Sequence, residues 1–386
     1  MPDEMRAALR RVERIRALRA TKPISGTYVS RPEMLTILRK HAAAEIPSDA
    51  LVHEEMILKL LGAIPTTYAF VEKQFELLGR KIAGLYEPSD GTMFLVSDLD
   101  PKEAEVTLLH ELAHALQDEH YGLRDRIRYR KGKTDALTAA SALAEGDATY
   151  VMMAAIAGKP AVAPAEFRDA VTSGAKGGNV PDFLSSSLVS SYVDGYEFVY
   201  ALVRNGGMDA LGLAWARPPV TSEQILHPAK WRSGEKAIVI GPPPMPHTVD
   251  DDSLGELGLR TYLELGGNRH DAALAAGGWG GDRGSLSIDG EVVQFAWHYR
   301  ADADAQGAAE RVMAELAAVF RNLGTADSTG EGLCVTRADA GPLAAVKRGA
   351  DIWLVAGPAS SRTWRSQATC ADARATVARV ISAGAP

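Results

Sequence analysis

Residues 106 to 116 read Val106-Thr107-Leu108-Leu109-His110-Glu111-Leu112-Ala113-His114-Ala115-Leu116. Leu, Ala and Glu favour helix, and no Gly or Pro interrupts the stretch. On a helix, residues four apart share one face about one turn apart. His110 and His114 therefore present two imidazoles to one point, at a spacing that a single zinc ion spans with bonds of about 2.0–2.1 Å. Glu111 sits beside that face, where a carboxylate can take a proton from a water at the metal. The pattern implies metal-assisted hydrolysis and puts a helix at the centre of the fold.

Working outward, Asp100-Pro101 with Glu103 and Glu105 marks the start of this helix, and Gly122 stops it after Tyr121. Upstream, Lys81 to Tyr86 and Thr92 to Val96 flank Glu87-Pro88-Ser89-Asp90-Gly91, a hairpin signal. Before that come helices over Arg31 to Ala44 (Ser30 as N-cap, Pro32 in the first turn), Leu51 to Leu61 and Thr66 to Leu78. Downstream, a basic stretch from Arg124 to Lys133 leads into an Ala-rich helix, Ala136 to Ile156. A Gly-rich loop over Ser173 to Pro181 follows, then helices over Leu188 to Val203 and Met208 to Ala216.

Gly241-Pro242-Pro243-Pro244-Met245-Pro246 is a stiff linker. Beyond it the sequence predicts a helix over Leu254 to Leu265 and a hairpin over Ser285 to Phe295 turning at Asp289-Gly290. A helix over Asp302 to Leu323, two strands within Leu343 to Val355, and a last helix over Ala371 to Ser382 complete it. The expected class is α+β. A mainly helical domain spans 31–240 with a small edge hairpin, behind an N-terminal amphipathic helix and linker over 1–30. A small α+β accessory domain spans 248–386.

The 386 residues suit two or three domains, and the net charge of −7 without aromatic-basic interleaving or an RNA-binding motif argues against a nucleic-acid partner. No apolar run reaches the ~18 residues of a membrane span, so no transmembrane segment is expected. Met5, Leu9, Val12 and Ile15 recur at helical spacing among Arg6, Arg10, Arg11, Arg14, Arg16 and Arg19. This predicts an amphipathic helix docked on the body, with a membrane-surface helix as the sharper alternative. Cys334 and Cys370 form either one disulfide, implying an oxidising compartment, or two buried thiols. The compartment stays open: secreted or periplasmic if a signal segment has been removed, cytoplasmic otherwise.

A catalytic zinc takes three protein ligands and leaves one position open. His120 follows His114 at the spacing metzincins use, but Gln117 stands where they have the Gly that turns the chain. On a continuing helix His120 points roughly 240° away from His114. The better third ligand is Glu145, in Ala142-Leu143-Ala144-Glu145-Gly146-Asp147-Ala148 on the Ala-rich helix. Small neighbours there let a second helix approach and aim a carboxylate at the metal. Asp147 points to nearly the opposite face and takes no assigned role.

The segments His110-Glu111-Leu112-Ala113-His114-Ala115-Leu116-Gln117-Asp118 and Ala144-Glu145-Gly146-Asp147-Ala148 resemble the gluzincin metallopeptidases. More narrowly they resemble a little-characterised bacterial group with HExxHALQD and EGDA segments. The resemblance implies a zincin-like domain with zinc on His110, His114 and Glu145, and Glu111 as general base. It also implies an edge strand, Met93-Phe94-Leu95-Val96, that binds extended peptide by strand addition. Weaker likeness extends through Glu223 to Pro228 and Gly278 to Arg283. Thr149 departs from thermolysin, which has an Asp there to orient the first His.

The developing oxyanion needs a donor besides the metal. His227, Tyr192 and Tyr196 are the candidates; His227 precedes Pro228 in a loop, and the two Tyr lie one turn apart, a spacing that also suits core packing. The expected activity is zinc-dependent hydrolysis of a peptide or protein substrate. The alternative is a non-catalytic zinc-stabilised scaffold or binding module on a degenerate protease fold.

Overall fold

The computed structural model describes residues 3–158, 162–175, 180–329 and 332–384. Local signals fix several elements. Asp100 accepts hydrogen bonds from the backbone N–H groups of Lys102 and Glu103, Pro101 occupies the first turn, and Gly122 ends the helix in the left-handed region at φ 65°. Ser30 and Glu33 form a reciprocal capping box, as do Thr369 and Asp372.

The first part of the chain runs α1 (Asp3–Arg16), β1 (Ser25–Val29), α2 (Arg31–Glu45), α3 (Ser48–Leu61), α4 (Phe70–Lys81), β2 (Gly84–Glu87) and β3 (Thr92–Val96). The HExxH helix is α5 (Pro101–Tyr121), followed by α6 (Leu123–Ile127), the Ala-rich α7 (Thr134–Ala157) and α8 (Pro164–Ala175). Then come α9 (Asp182–Ala216), broken at Gly206-Gly207, and the short α10 (Ser222–Leu226) and α11 (Pro228–Ser233). Part of the Gly-rich loop, including Gly177 and Gly178, lies outside the described residues.

Ser25–Val29, read from sequence as linker, is a strand. β1 pairs in parallel with β3 from Ser25↔Thr92 to Val29↔Val96, and β2 pairs antiparallel on the other side. The sheet order is β1-β3-β2. This corrects the expected peptide-binding edge. Met93, Phe94 and Leu95 lie on the central strand, with both backbone edges taken and Met93 and Leu95 buried in the core. The edge nearest the HExxH helix is β2.

The later part runs β4 (Thr248–Asp252), α12 (Gly255–Leu263), α13 (Arg269–Ala276), β5 (Trp279–Asp289), β6 (Val292–Ala301), α14 (Ala308–Leu323), β7 (Thr325–Thr329), β8 (Gly332–Thr336), β9 (Leu343–Arg348), β10 (Asp351–Ser360) and α15 (Cys370–Ala383). Seven strands form one sheet in the order β4-β5-β6-β10-β9-β8-β7. Alternation sorts β6: Phe295, Trp297 and Tyr299 face α12–α14, while Ala296 faces α15. Leu58, Leu60 and Leu61 of α3 belong to the same core as this sheet. Trp279 is buried, its indole donating to Asp282. Cys334 and Cys370 are disulfide-bonded, tying β8 to the start of α15.

The class is thus α+β, and no described helix is long and apolar enough to cross a membrane. α1 docks on the body through Met5, Ala8 and Val12, with Leu9 and Ile15 packed beside them. Its last residue, Arg16, is buried and donates to Asp147 at 3.0 Å, while the Trp215 indole donates to the same carboxylate at 2.7 Å. Tyr121 accepts from Arg16 and stacks on Trp215. Removing one partner of a buried pair leaves the other charge stranded, at about 3–5 kcal/mol. Arg16→Met is expected to lower the unfolding free energy by that amount in a urea titration. A loss under 1 kcal/mol would show that Asp147 does not depend on this cation.

Candidate functional site

α5 and α7 bring three donor atoms together. His110 Nε2 lies 3.0 Å from His114 Nε2 and 3.1 Å from Glu145 Oε2, and His114 Nε2 lies 3.6 Å from the same oxygen. Donors bound tetrahedrally at ~2.0–2.1 Å from one metal sit about 3.3 Å apart. The three spacings bracket that value, so these residues could hold a metal ion.

Glu145 reaches this point because α7 packs along α5, and on another side α7 packs backbone to backbone on α9. A Cβ on Gly146 would overlap the Gly195 carbonyl, and one on Gly195 would overlap the Ala142 carbonyl oxygen. The crossing also places Tyr192, one turn before Gly195, in the site. Its hydroxyl stands near the Glu145 carboxylate, and its ring lies 6.2 Å from that of His110. The charges of Glu145 and Glu111 hold the phenol above its ordinary pKa, so it stays a hydrogen-bond donor.

Sequence reasoning missed Gln117. Its amide Nε2–H donates to the Ala144 carbonyl at 3.0 Å, which turns Oε1 toward His114 Nδ1 at 2.9 Å. In the neutral imidazole, the form that binds metal, an acceptor at Nδ1 keeps the proton there and leaves the Nε2 lone pair facing Glu145 and His110. The residue that rules out the metzincin turn thus orients a ligand. His120 accordingly points elsewhere, bonding the Arg19 carbonyl at 2.8 Å near the surface. Thr149 and Asp147 are both buried within α7, and Asp147 faces Arg16.

Glu111 is roofed by β2. The Val96 N–H donates to the Ala83 carbonyl, which fixes the alternation of the ladder. Leu85 then bonds toward β3, while Gly84 and Tyr86 turn their backbone groups outward. The Tyr86 N–H meets the Glu111 carboxylate. A Cβ at residue 84 would stand 2.9 Å from Glu111 Cγ, so only Gly lets the strand pass this close. Burial and the nearby Glu145 raise the Glu111 pKa against the opposing pull of His110 and His114. A base of raised pKa suits proton transfer near neutrality.

These groups line a cleft of about 380 Å³ with Gly84, Tyr86 and Tyr192 on its walls. Three expected participants lie elsewhere. His227 is not among the cleft-lining residues; its Nε2 bonds Glu256 at 2.8 Å and fastens the α10–α11 corner to α12. Tyr196 is buried, donating to the Val162 carbonyl and packing on Phe167. Met93 is core. A second carboxylate group, Glu223, Glu235 and Asp302, converges on the Lys230 ammonium and is an ion-pair hub.

No family model, curated protein or solved structure matches this chain.

Two outcomes follow from the site. Gln117→Leu is expected to weaken metal binding about 10–100-fold, read by competition with a chromogenic chelator; unchanged affinity would mean the amide does not orient His114. Burial opposes the charge on His114, but Glu145, Glu111 and Gln117 outweigh it and lift its pKa to about 9. At pH 7.5 the metal-free imidazole therefore carries a proton that metal uptake must expel. Calorimetry in buffers of different ionisation enthalpy should show release of about one proton. No buffer dependence would contradict this.

Proposed function

We propose that the chain is a zinc-dependent peptidase of the gluzincin type, with a zincin-like helical part. The observation that carries the reading is the convergence of His110 Nε2, His114 Nε2 and Glu145 Oε2 at metal-ligand spacing, beside a buried carboxylate in an open cleft. His110, His114 and Glu145 would hold the ion, which when bound supplies a Lewis acid and a water of lowered pKa.

The chain's own groups do the rest. Glu111 takes the proton of the attacking water and returns it to the leaving amine. The Tyr86 N–H fixes that carboxylate while the proton moves. The Tyr192 hydroxyl replaces His227 as donor to the developing oxyanion. The free edge of β2, through the outward C=O groups of Gly84 and Tyr86, is placed to hold an extended peptide across the cleft. A purely structural zinc site would be closed by a fourth ligand and would need no base. The open cleft beside Glu111 therefore favours catalysis over the scaffold reading.

The test pairs metal content with hydrolysis of a quenched-fluorescent peptide library. The purified chain should carry one zinc and cleave. Glu111→Gln should keep the zinc and lose at least ~100-fold in kcat/KM. Glu145→Ala should lose the metal, and His120→Ala should lose neither. Full activity in Glu111→Gln would overturn the mechanism, and metal loss in His120→Ala would move the third ligand.

A further inference from the structure

A second cavity, of about 340 Å³, opens where α3, α7 and α9 meet α12 and the large sheet. Its walls are apolar, with Leu51, Leu58, Leu137, Phe183, Leu257 and Phe295 contributing. Acids stand along it: Glu54, Asp250, Asp251 and Asp252. Most already have partners. Asp250 pairs with His53 and Lys131, Asp251 with Arg283, and Asp252 accepts from the N–H and hydroxyl of Thr134. Glu54 has no ion-pair partner among the described residues. Its side chain is exposed at the cavity and stands near Asp252.

This cavity and the metal site lie along one helix. Thr134, Thr138, Ser141 and Glu145 fall at helical spacing on one stripe of α7. The first two line the second cavity and the last two the cleft. From Thr138 to Glu145 the helix rises roughly 10 Å, the span of about three extended residues.

Taking the peptidase reading as premise, we propose that this cavity is a specificity subsite for a lysine or arginine about three residues from the scissile bond, its stem among the leucines and its charge at Glu54. Long basic side chains are apolar along the stem and charged at the tip, as the cavity is along its walls and at its acids.

The library should show cleavage enriched where Arg or Lys occupies the third position on one side of the bond. Glu54→Gln should cut kcat/KM for the Arg peptide about tenfold while leaving an otherwise identical citrulline peptide unchanged. Binding separates this inference from its premise. A dansylated Arg pentapeptide should bind the Glu111→Gln protein more tightly than its citrulline twin, and Glu54→Gln added to that protein should erase the difference. Cleavage without basic preference, or a preference untouched by Glu54→Gln, would overturn the subsite and leave the peptidase standing. An Arg–citrulline binding difference that depends on Glu54, in a chain that cleaves nothing, would overturn the peptidase and keep the cation site. Neither cleavage nor a binding difference would overturn both.

Discussion

The contact on which the rest of the site depends is the crossing of two helix backbones at Gly146 and Gly195. Helices whose side chains interdigitate normally keep their axes 8–10 Å apart; two glycines face to face remove the side chains that enforce that spacing. Through it α7, whose Glu145 faces the histidines of α5, is held tightly against α9. It also brings Tyr192 beside that glutamate. Ligand and candidate oxyanion donor are therefore positioned by one packing event, although they come from different helices.

Around this crossing the molecule manages charge in two ways. At the cleft, the imidazoles and carboxylates are held close together along its wall, so burial and their mutual interactions set their protonation. Two residues along α7, on its other side, Asp147 is closed in completely and matched to Arg16 and Trp215. The same short stretch of helix thus carries one acid arranged for chemistry and another arranged for docking.

What was legible in the sequence was what local chemistry decides. The bounds of α5 follow from Asp100, Pro101 and Gly122, each acting within a few residues of itself. The metal-ligand candidates were legible too, because the spacing of His110 and His114 is a property of any helix, and Glu145 stood out among small apolar neighbours. The missed features need partners distant in the chain. β1 has largely exposed side chains and no apolar alternation; it is a strand because β3 lies beside it, and that pairing moved the free edge to β2. Gln117 acquires its role from a carbonyl on another helix. His227 looked reactive because its partner, Glu256, lies in an element that sequence reading assigned to the other domain. The disulfide likewise depended on a proximity that composition does not reveal.

The sharing of α3 between the two halves has a consequence for modularity. Leu58, Leu60 and Leu61 supply part of the wall against which the large sheet packs. Cut at the proline-rich segment, the helical half would display a row of leucines to water, an exposed patch of the kind that promotes association. The later half would lose one side of its core. The linker therefore joins parts that are consecutive in sequence but not separable in packing. Transplanting the cleft into another protein would mean carrying the large sheet with it, or redesigning the leucine face of α3 to stand in water.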